Sequence, residues 1–341
     1  MNTASKLGLT ITLIAWSNLL TLPATAASNG FSDTAKKSGG ATATLLVDSL
    51  AGGSGSTVGP GGALYVTEGP TGSILRIDPD TGEVTTFATG LPLAIIEIGG
   101  AIDVAFIGST AYVLVTLVGE DLGGGDVVGI YRVDGPDSFT VIADLGAFSV
   151  ANPPPVPFDV PTGLQYALEA YRGGLLVTDG HHNRVLSVTL DGEITQLLIF
   201  GDVVPTGLAV SGNTVYFGQA GPVPHLPQNG KVISFDAHSL TTTQVASGAS
   251  LIVDVEFGRG RTLYALSQGD FPVDGPPGSP ALPDTGALLE VNADGTFTVI
   301  MGGLNQPTSV EFIGNTAYVV TLGGEIWRIE NVSTPPYGAS R

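Results

Sequence analysis

Two aspartates occupy positions where their neighbours in related segments are small. Ile102-Asp103-Val104 and Val253-Asp254-Val255 align with Pro161-Thr162-Gly163, Pro205-Thr206-Gly207 and Pro307-Thr308-Ser309, so an acid replaces Gly or Ser. Facing carboxylates, with the hydroxyls of Thr162, Thr206 and Thr308 between them, would hold a divalent cation such as calcium or orient the polar groups of a ligand. The alternative is that each Asp caps backbone amides of its own loop. A denser polar cluster is Asp179-Gly180-His181-His182-Asn183-Arg184. Imidazoles titrate near neutrality and can ligate metals or move protons, which makes His181 and His182 acid–base candidates beside Asp103 and Asp254. Neighbouring residues of an extended chain point apart, however. The preferred reading of this cluster is therefore structural, tying its loop to an adjacent repeat. His225, set among Pro222, Pro224 and Pro227, is a further polar candidate.

What positions these residues is a repeat. Pro205-Thr206-Gly207-Leu208-Ala209-Val210, Asn213-Thr214-Val215-Tyr216-Phe217-Gly218, Lys231-Val232-Ile233-Ser234-Phe235-Asp236 and Thr242-Thr243-Gln244-Val245-Ala246 are four short alternating runs separated by turn residues. The same pattern recurs along the chain at a period of roughly 40–50 residues, which predicts a β-propeller. Second strands are read at Ala63–Thr67, Ala111–Val115, Leu175–Thr178, Val215–Phe217, Leu263–Leu266 and Ala317–Val320, giving six units. The last unit lacks a fourth strand, and an unassigned strand-like run, Ala43-Thr44-Leu45-Leu46-Val47, stands at the other end. Open edges would expose unpaired backbone. The expected architecture is thus an all-β, six-bladed propeller of four-stranded blades, its ring closed by the N-terminal strand completing blade six. An open stack of β-meanders or a β-sandwich is the competing fold. In the closed ring Asp103 belongs to blade two and Asp254 to blade five, on opposite sides of the axis.

Propeller topology also sorts the loops. The turns between strands one and two, and three and four, share one face and are terse here, as in Ser211-Gly212-Asn213 and Asp80-Thr81-Gly82. The two-to-three turns and the blade-to-blade connections share the other face and carry the insertions at residues 119–128, 151–161, 219–230 and 268–286. Long loops gathered on one face of a rigid scaffold usually carry function. Phe148, Phe158 and Phe271 lie in or beside them and would offer stacking surface to a ligand, with Gln219, Gln268 and His225 as polar partners. His238 falls on the opposite face. The competing reading is that Pro-rich insertions only cap the apolar ends of the ring.

Composition narrows the functional classes. With 12 Lys and Arg against 31 Asp and Glu, the formal charge is −19, which repels nucleic acid and anionic lipid. Cysteine is absent, excluding disulfides, thiol nucleophiles and thiolate metal sites. Lys6, the apolar run Leu7 to Leu22 and Ala24-Thr25-Ala26 together fit a secretory signal. The expected organisation is a signal over residues 1–26, a flexible lead over 27–40, the propeller over 41–331 and a tail over 332–341. A secreted or periplasmic monomer is expected, meeting a small molecule or an extracytoplasmic protein partner and inserting in no membrane. No Gly-x-Ser-x-Gly elbow, phosphate loop or His-Glu-x-x-His motif occurs. Asp78-Pro79-Asp80 and Asn292-Ala293-Asp294-Gly295 look like calcium loops but sit at hairpin turns.

Several of these segments carry a family resemblance. Tyr65-Val66-Thr67-Glu68-Gly69, Gly72-Ser73-Ile74-Leu75-Arg76-Ile77-Asp78 and Thr86-Phe87-Ala88-Thr89-Gly90-Leu91-Pro92, with the Pro-Thr-Gly-Leu starts, resemble the ScyD/ScyE family of exported propellers. That family is named for the gene cluster that makes scytonemin, an indole–phenol pigment. The resemblance implies placement outside the cytoplasm and a step in assembling or handling an aromatic precursor, and it names no catalytic residue. Val177-Thr178-Asp179-Gly180 with Asn183-Arg184-Val185 also resembles the NHL repeat, whose propellers recruit proteins. Gluconolactonase-type propellers are similar in outline, but their metal set of one Glu, two Asn and one Asp is not matched. Ser56-Thr57-Val58-Gly59-Pro60 lacks their Glu-x-Pro, and Thr162 and Thr206 stand in place of Asn. The function expected is binding of an aromatic or apolar small molecule on the long-loop face, with catalysis left open. A non-catalytic scaffold and a metal-dependent lactonase are the alternatives.

Overall fold

The computed structural model describes residues 40–334. The expected signal, nearly all of the lead and tail residues 335–341 lie outside the described residues. Strands form where β-branched and aromatic residues alternate between turn residues. Tight hairpins such as those at Gly108, Gly212 and Gly314 use a positive φ that glycine adopts without strain.

Six antiparallel four-stranded sheets result, five of them in simple meander order. The inner strands are Ser56–Val58, Gly100–Ile107, Gln165–Tyr171, Pro205–Ser211, Ile252–Phe257 and Pro307–Ile313. They pack in ring order, the sixth against the first. This is a six-bladed β-propeller. Blade six is completed by the N-terminal strand Thr42–Val47, antiparallel to Ile326–Glu330, with Thr42 opposite Glu330 and Leu45 opposite Trp327.

The core is divided among the interfaces between neighbouring blades. Val113 and Val115 of blade two pack with Tyr65 and Ile74 of blade one, while Leu114 and Ile130 face Val177 and Leu186 of blade three. Period-two alternation makes this possible, because each middle strand buries one face against each neighbour. The closing seam is equally apolar: Val47, Val320 and Ile326 pack on Leu64, Val66 and Ile77.

Blade three departs from the sequence reading at its start. Its inner strand begins at Gln165, and Pro161-Thr162-Gly163 forms a preceding turn with Gly163 at φ 79°. A short helix not foreseen from sequence, Leu145–Ala151, opens the connection between blades two and three, and the Asp144 carboxylate caps it by accepting from the Ala147 amide at 2.7 Å.

Ring closure through Thr42–Val47 makes a stability prediction. A chain beginning at Leu50 should melt lower by roughly 10 °C or more. Unchanged melting would show that blade six stands without its fourth strand.

Candidate functional site

Inner-strand residues at alternate positions face the axis, so two successive layers line the channel in each blade. Asp103 and Asp254 lie in the layer nearer the long-loop face. Each bridges two blades. Asp103 accepts from its own strand at the Val104 amide and from blade three at the Leu168 amide, both at 2.8 Å. Asp254 does the same with Val255 at 2.9 Å and with Val310 of blade six at 2.8 Å. The preceding blade leaves room in each case. A Cβ on Gly55 would come within 2.1 Å of the Asp103 carboxylate, and one on Gly207 within 2.1 Å of Asp254.

Two residues further along the strands, about 7 Å deeper, comes a layer that sequence reasoning missed. Glu169 of blade three, Glu256 of blade five and Glu311 of blade six all face the channel. Glu256 accepts from the Phe257 amide at 2.6 Å. Alternation was the available signal: Glu256 follows Asp254 by two, so both must look the same way. Above the acids stands a cavity of about 480 Å³. Its walls come from the loops and strand starts of the long-loop face, including Ile98, Leu251, Pro277 and Leu322, with Tyr166 reaching in from blade three.

Burial dominates the electrostatics. It pushes the Asp254 carboxyl up to about 7, although the Val310 and Val255 amides and the Ser309 hydroxyl favour its charged form. Glu256 is pushed up to about 8 by burial, with the charge of Asp254 adding to the shift. Asp103, Glu169 and Glu311 are raised well above the usual carboxylate range by burial first, and Glu169 and Glu311 also by repulsion from Glu256 and the other channel acids. The channel acids therefore hold protons that they would give up in the unfolded chain.

The other predicted residues divide. Thr206, Thr308, Gln268 and His225 line the cavity. The threonine hydroxyls are committed to the frame: Thr206 donates to the Ile252 carbonyl at 2.8 Å, and Thr308 to Gly53 at 3.1 Å. Gln268 accepts from the Ala281 amide at 3.0 Å, fixing the 268–286 loop. Phe271 stands edge-on to His225, with centroids 5.0 Å apart, and backs the cavity without lining it. Thr162 lies outside, binding Asp121 through its amide and its hydroxyl. Gln219 is buried at a strand end and is also outside the lining.

His181 and His182 hold the 151–161 loop. One ring nitrogen of His181 accepts from the Asp159 and Val160 amides, both at 3.0 Å. His182 is fully buried, with Nε2 at 3.0 Å from the Val160 carbonyl and Nδ1 at 3.0 Å from Arg184. Burial lowers its pKa, against the pull of Asp179. Arg184 ties Asp179, the Ser149 hydroxyl and the Asn152 carbonyl together, and its guanidinium lies over the Phe148 ring. Phe158 stands edge-on to His182. Phe148 and Phe158 thus serve this loop anchor and do not reach the cavity.

The donor chemistry does not suit a cation between Asp103 and Asp254. Each aspartate spends both oxygens on amides, the threonine hydroxyls donate to carbonyls, and among the described residues no three His, Asp or Glu side chains gather in a metal-binding arrangement.

With this geometry established, the solved structures it resembles can be placed. A gluconolactonase from Xanthomonas campestris aligns over 86% of this chain and 90% of its own, at 14% identity and TM-score 0.60. A PQQ-bound aldose sugar dehydrogenase from Streptomyces coelicolor aligns over 86% and 99%, at 13% identity and TM-score 0.57. Virginiamycin B lyase from Staphylococcus aureus aligns over 85% and 99%, at 13% identity and TM-score 0.51. The shared feature is the propeller. Such identities speak for the fold alone. No family model and no curated protein matches the chain.

Two predictions follow from the channel. The folded form binds more protons than the unfolded form between the ordinary carboxylate range and about pH 8, so stability falls as pH rises through that window. The melting temperature should drop from about pH 5 to about pH 8.5 and drop less in Glu256→Gln; a profile identical in both proteins would refute the buried-acid assignment. Gly207→Ala should destabilise by about 1–3 kcal/mol through overpacking against Asp254. The loss should shrink when Asp254→Ala is added, as read by denaturant melts.

Proposed function

We propose that this protein is an exported propeller of the ScyD/ScyE type that binds an aromatic or otherwise apolar small molecule in the axial cavity. The observation that carries this reading is a ligand-sized chamber with apolar upper walls, built by the long loops, standing directly over carboxyls poised near neutrality. Exposed apolar side chains on the same face, Leu93, Ile95, Val223, Leu226 and the 91% exposed Val273 among them, give the mouth an apolar approach. The sequence resemblance and the export-type N-terminus favour a site of action outside the cytoplasm.

If the bound molecule is also transformed, Glu256 is the proton-transfer group. Only one of its oxygens accepts from a backbone amide, and its pKa of about 8 suits general acid–base work near neutral pH. Asp103 and Asp254, held at both oxygens, act as positioning residues that keep the strands bearing Glu169 and Glu311 in place. A protein-recruiting scaffold would account for the apolar rim but leaves the converging acids without a role, so small-molecule binding is preferred.

The test is binding of a neutral aromatic probe, 2-phenylethanol, to the mature protein by calorimetry. Ser279→Trp, at the loop segment that lines the cavity, should weaken it by roughly tenfold or more. Affinity unmoved by that substitution would place binding elsewhere and overturn the assignment.

A further inference from the structure

The charge balance of the cavity is one-sided. Its lining holds six carboxylic acids, counting the loop residue Glu97, and neither lysine nor arginine. An anionic ligand would enter a channel whose side chains offer it carboxyls and neither lysine nor arginine as counter-charge. A bare metal ion would meet aspartates already committed to amides and would leave the apolar chamber above them unused. A neutral ligand would gain hydrogen bonds alone. The depth of the cavity offers more than that. Glu169, Glu256 and Glu311 enter from three blades at one level, and among the described residues neither Glu169 nor Glu311 has its carboxyl tied to a protein hydrogen-bond donor. These are three acceptors facing one channel beneath an apolar chamber, with the Tyr166 ring in its wall.

We propose that the ligand is an amphiphilic organic cation, an aromatic or apolar body carrying a primary amine, seated with its ammonium group among Glu169, Glu256 and Glu311. An ammonium has three N–H donors and no acceptor, which suits a channel whose polar side chains at this level, on three blades, are carboxyls. The apolar body then fills the chamber lined by Ile98, Leu251, Pro277 and Leu322, and its approach to Tyr166 adds ring–cation attraction. Protons balance simply. The amine enters already protonated, a carboxyl of the cluster gives its proton to solvent, and the resulting carboxylate pairs with the ammonium. The titratable groups around Glu256 are Asp254 on its own strand and Glu169, Glu311, Asp103 and the Tyr166 phenol on other blades, all acids; the base of the lining, His225, has its pKa lowered by burial. No competing internal cation can therefore take the place of the ligand. This inference rests on the cavity being the ligand site, and it adds the charge class of what enters.

A matched series separates the two claims: phenethylamine, 2-phenylethanol and phenylacetate, equal in body and differing in head group. Each is titrated calorimetrically into the mature protein at neutral pH, in phosphate and in Tris. The amine should bind roughly tenfold or more tighter than the alcohol, phenylacetate should bind more weakly than either, and only the amine should release a proton, read from the dependence of heat on buffer. Glu256→Gln and Glu311→Gln should each erase most of the preference for the amine over the alcohol. Glu193→Gln, on the surface, should change nothing, which controls for general attraction to an acidic protein. Equal binding of amine and alcohol, or a preference for phenylacetate, overturns the cation inference and leaves the cavity reading intact. Failure of all three to bind overturns both.

Discussion

Neighbouring inner strands of a propeller diverge from one another and share no hydrogen-bonded ladder, so something else must hold them at the axis. Here two aspartates do so, Asp103 buried and Asp254 partly buried. Each spans from its own strand to a backbone amide of the next blade, Asp103 to Leu168 and Asp254 to Val310. Each also lies against a glycine of the preceding blade, where a methyl group would collide. The unit of glycine, aspartate and amide therefore occurs once across blades one to three and again across blades four to six. A buried carboxylate bound by two amides is tolerable where an unbound one is not. The apolar interfaces between blades, the width of the channel and the level of the glutamates all follow from where these latches set the strands.

The two half-rings are alike in their latches and unlike in their second layer. The position two beyond the aspartate is Glu256 in blade five and Ala105 in blade two. The next blade in each half carries a glutamate, Glu169 or Glu311. The aspartates and the glutamates of blades three and six thus obey the pseudo-repeat, and Glu256 breaks it. That asymmetry gives the channel one side richer in carboxyls and so a preferred orientation for whatever enters.

Much of this was legible in the chain. The six repeats, the closing strand and the opposed aspartates all follow from aligning short alternating runs, because turn chemistry and period-two burial act locally. Asp103 and Asp254 stood out only because Gly or Ser fills the same place elsewhere, and of the two roles open to them the structure displays amide binding. The glutamates were hidden for a different reason. Glu169 belongs to a strand whose expected start, Pro161-Thr162-Gly163, lies four residues before Gln165, which keeps its face but misplaces its depth in the channel. Phe148 and Phe158 mark the limit of composition. An aromatic in an insertion can face a ligand or the scaffold, and the helix Leu145–Ala151 with the buried Arg184 turns these toward the scaffold. His181 braces the 151–161 loop through the Asp159 and Val160 amides and His182 through the Val160 carbonyl.

The seam in blade six joins the earliest described strand to the last, Thr42 lying opposite Glu330. In a chain made from its N-terminus, Thr42–Val47 has no partner until Ile326–Glu330 appears. The interface it must seal, Val47 and Val320 against Leu64 and Val66, stays open for the same interval. Blades can form one after another by local meanders, but the ring is an all-or-nothing object whose final step carries the longest loop-closure entropy in the molecule. An unfinished ring also has a sticky edge at each end.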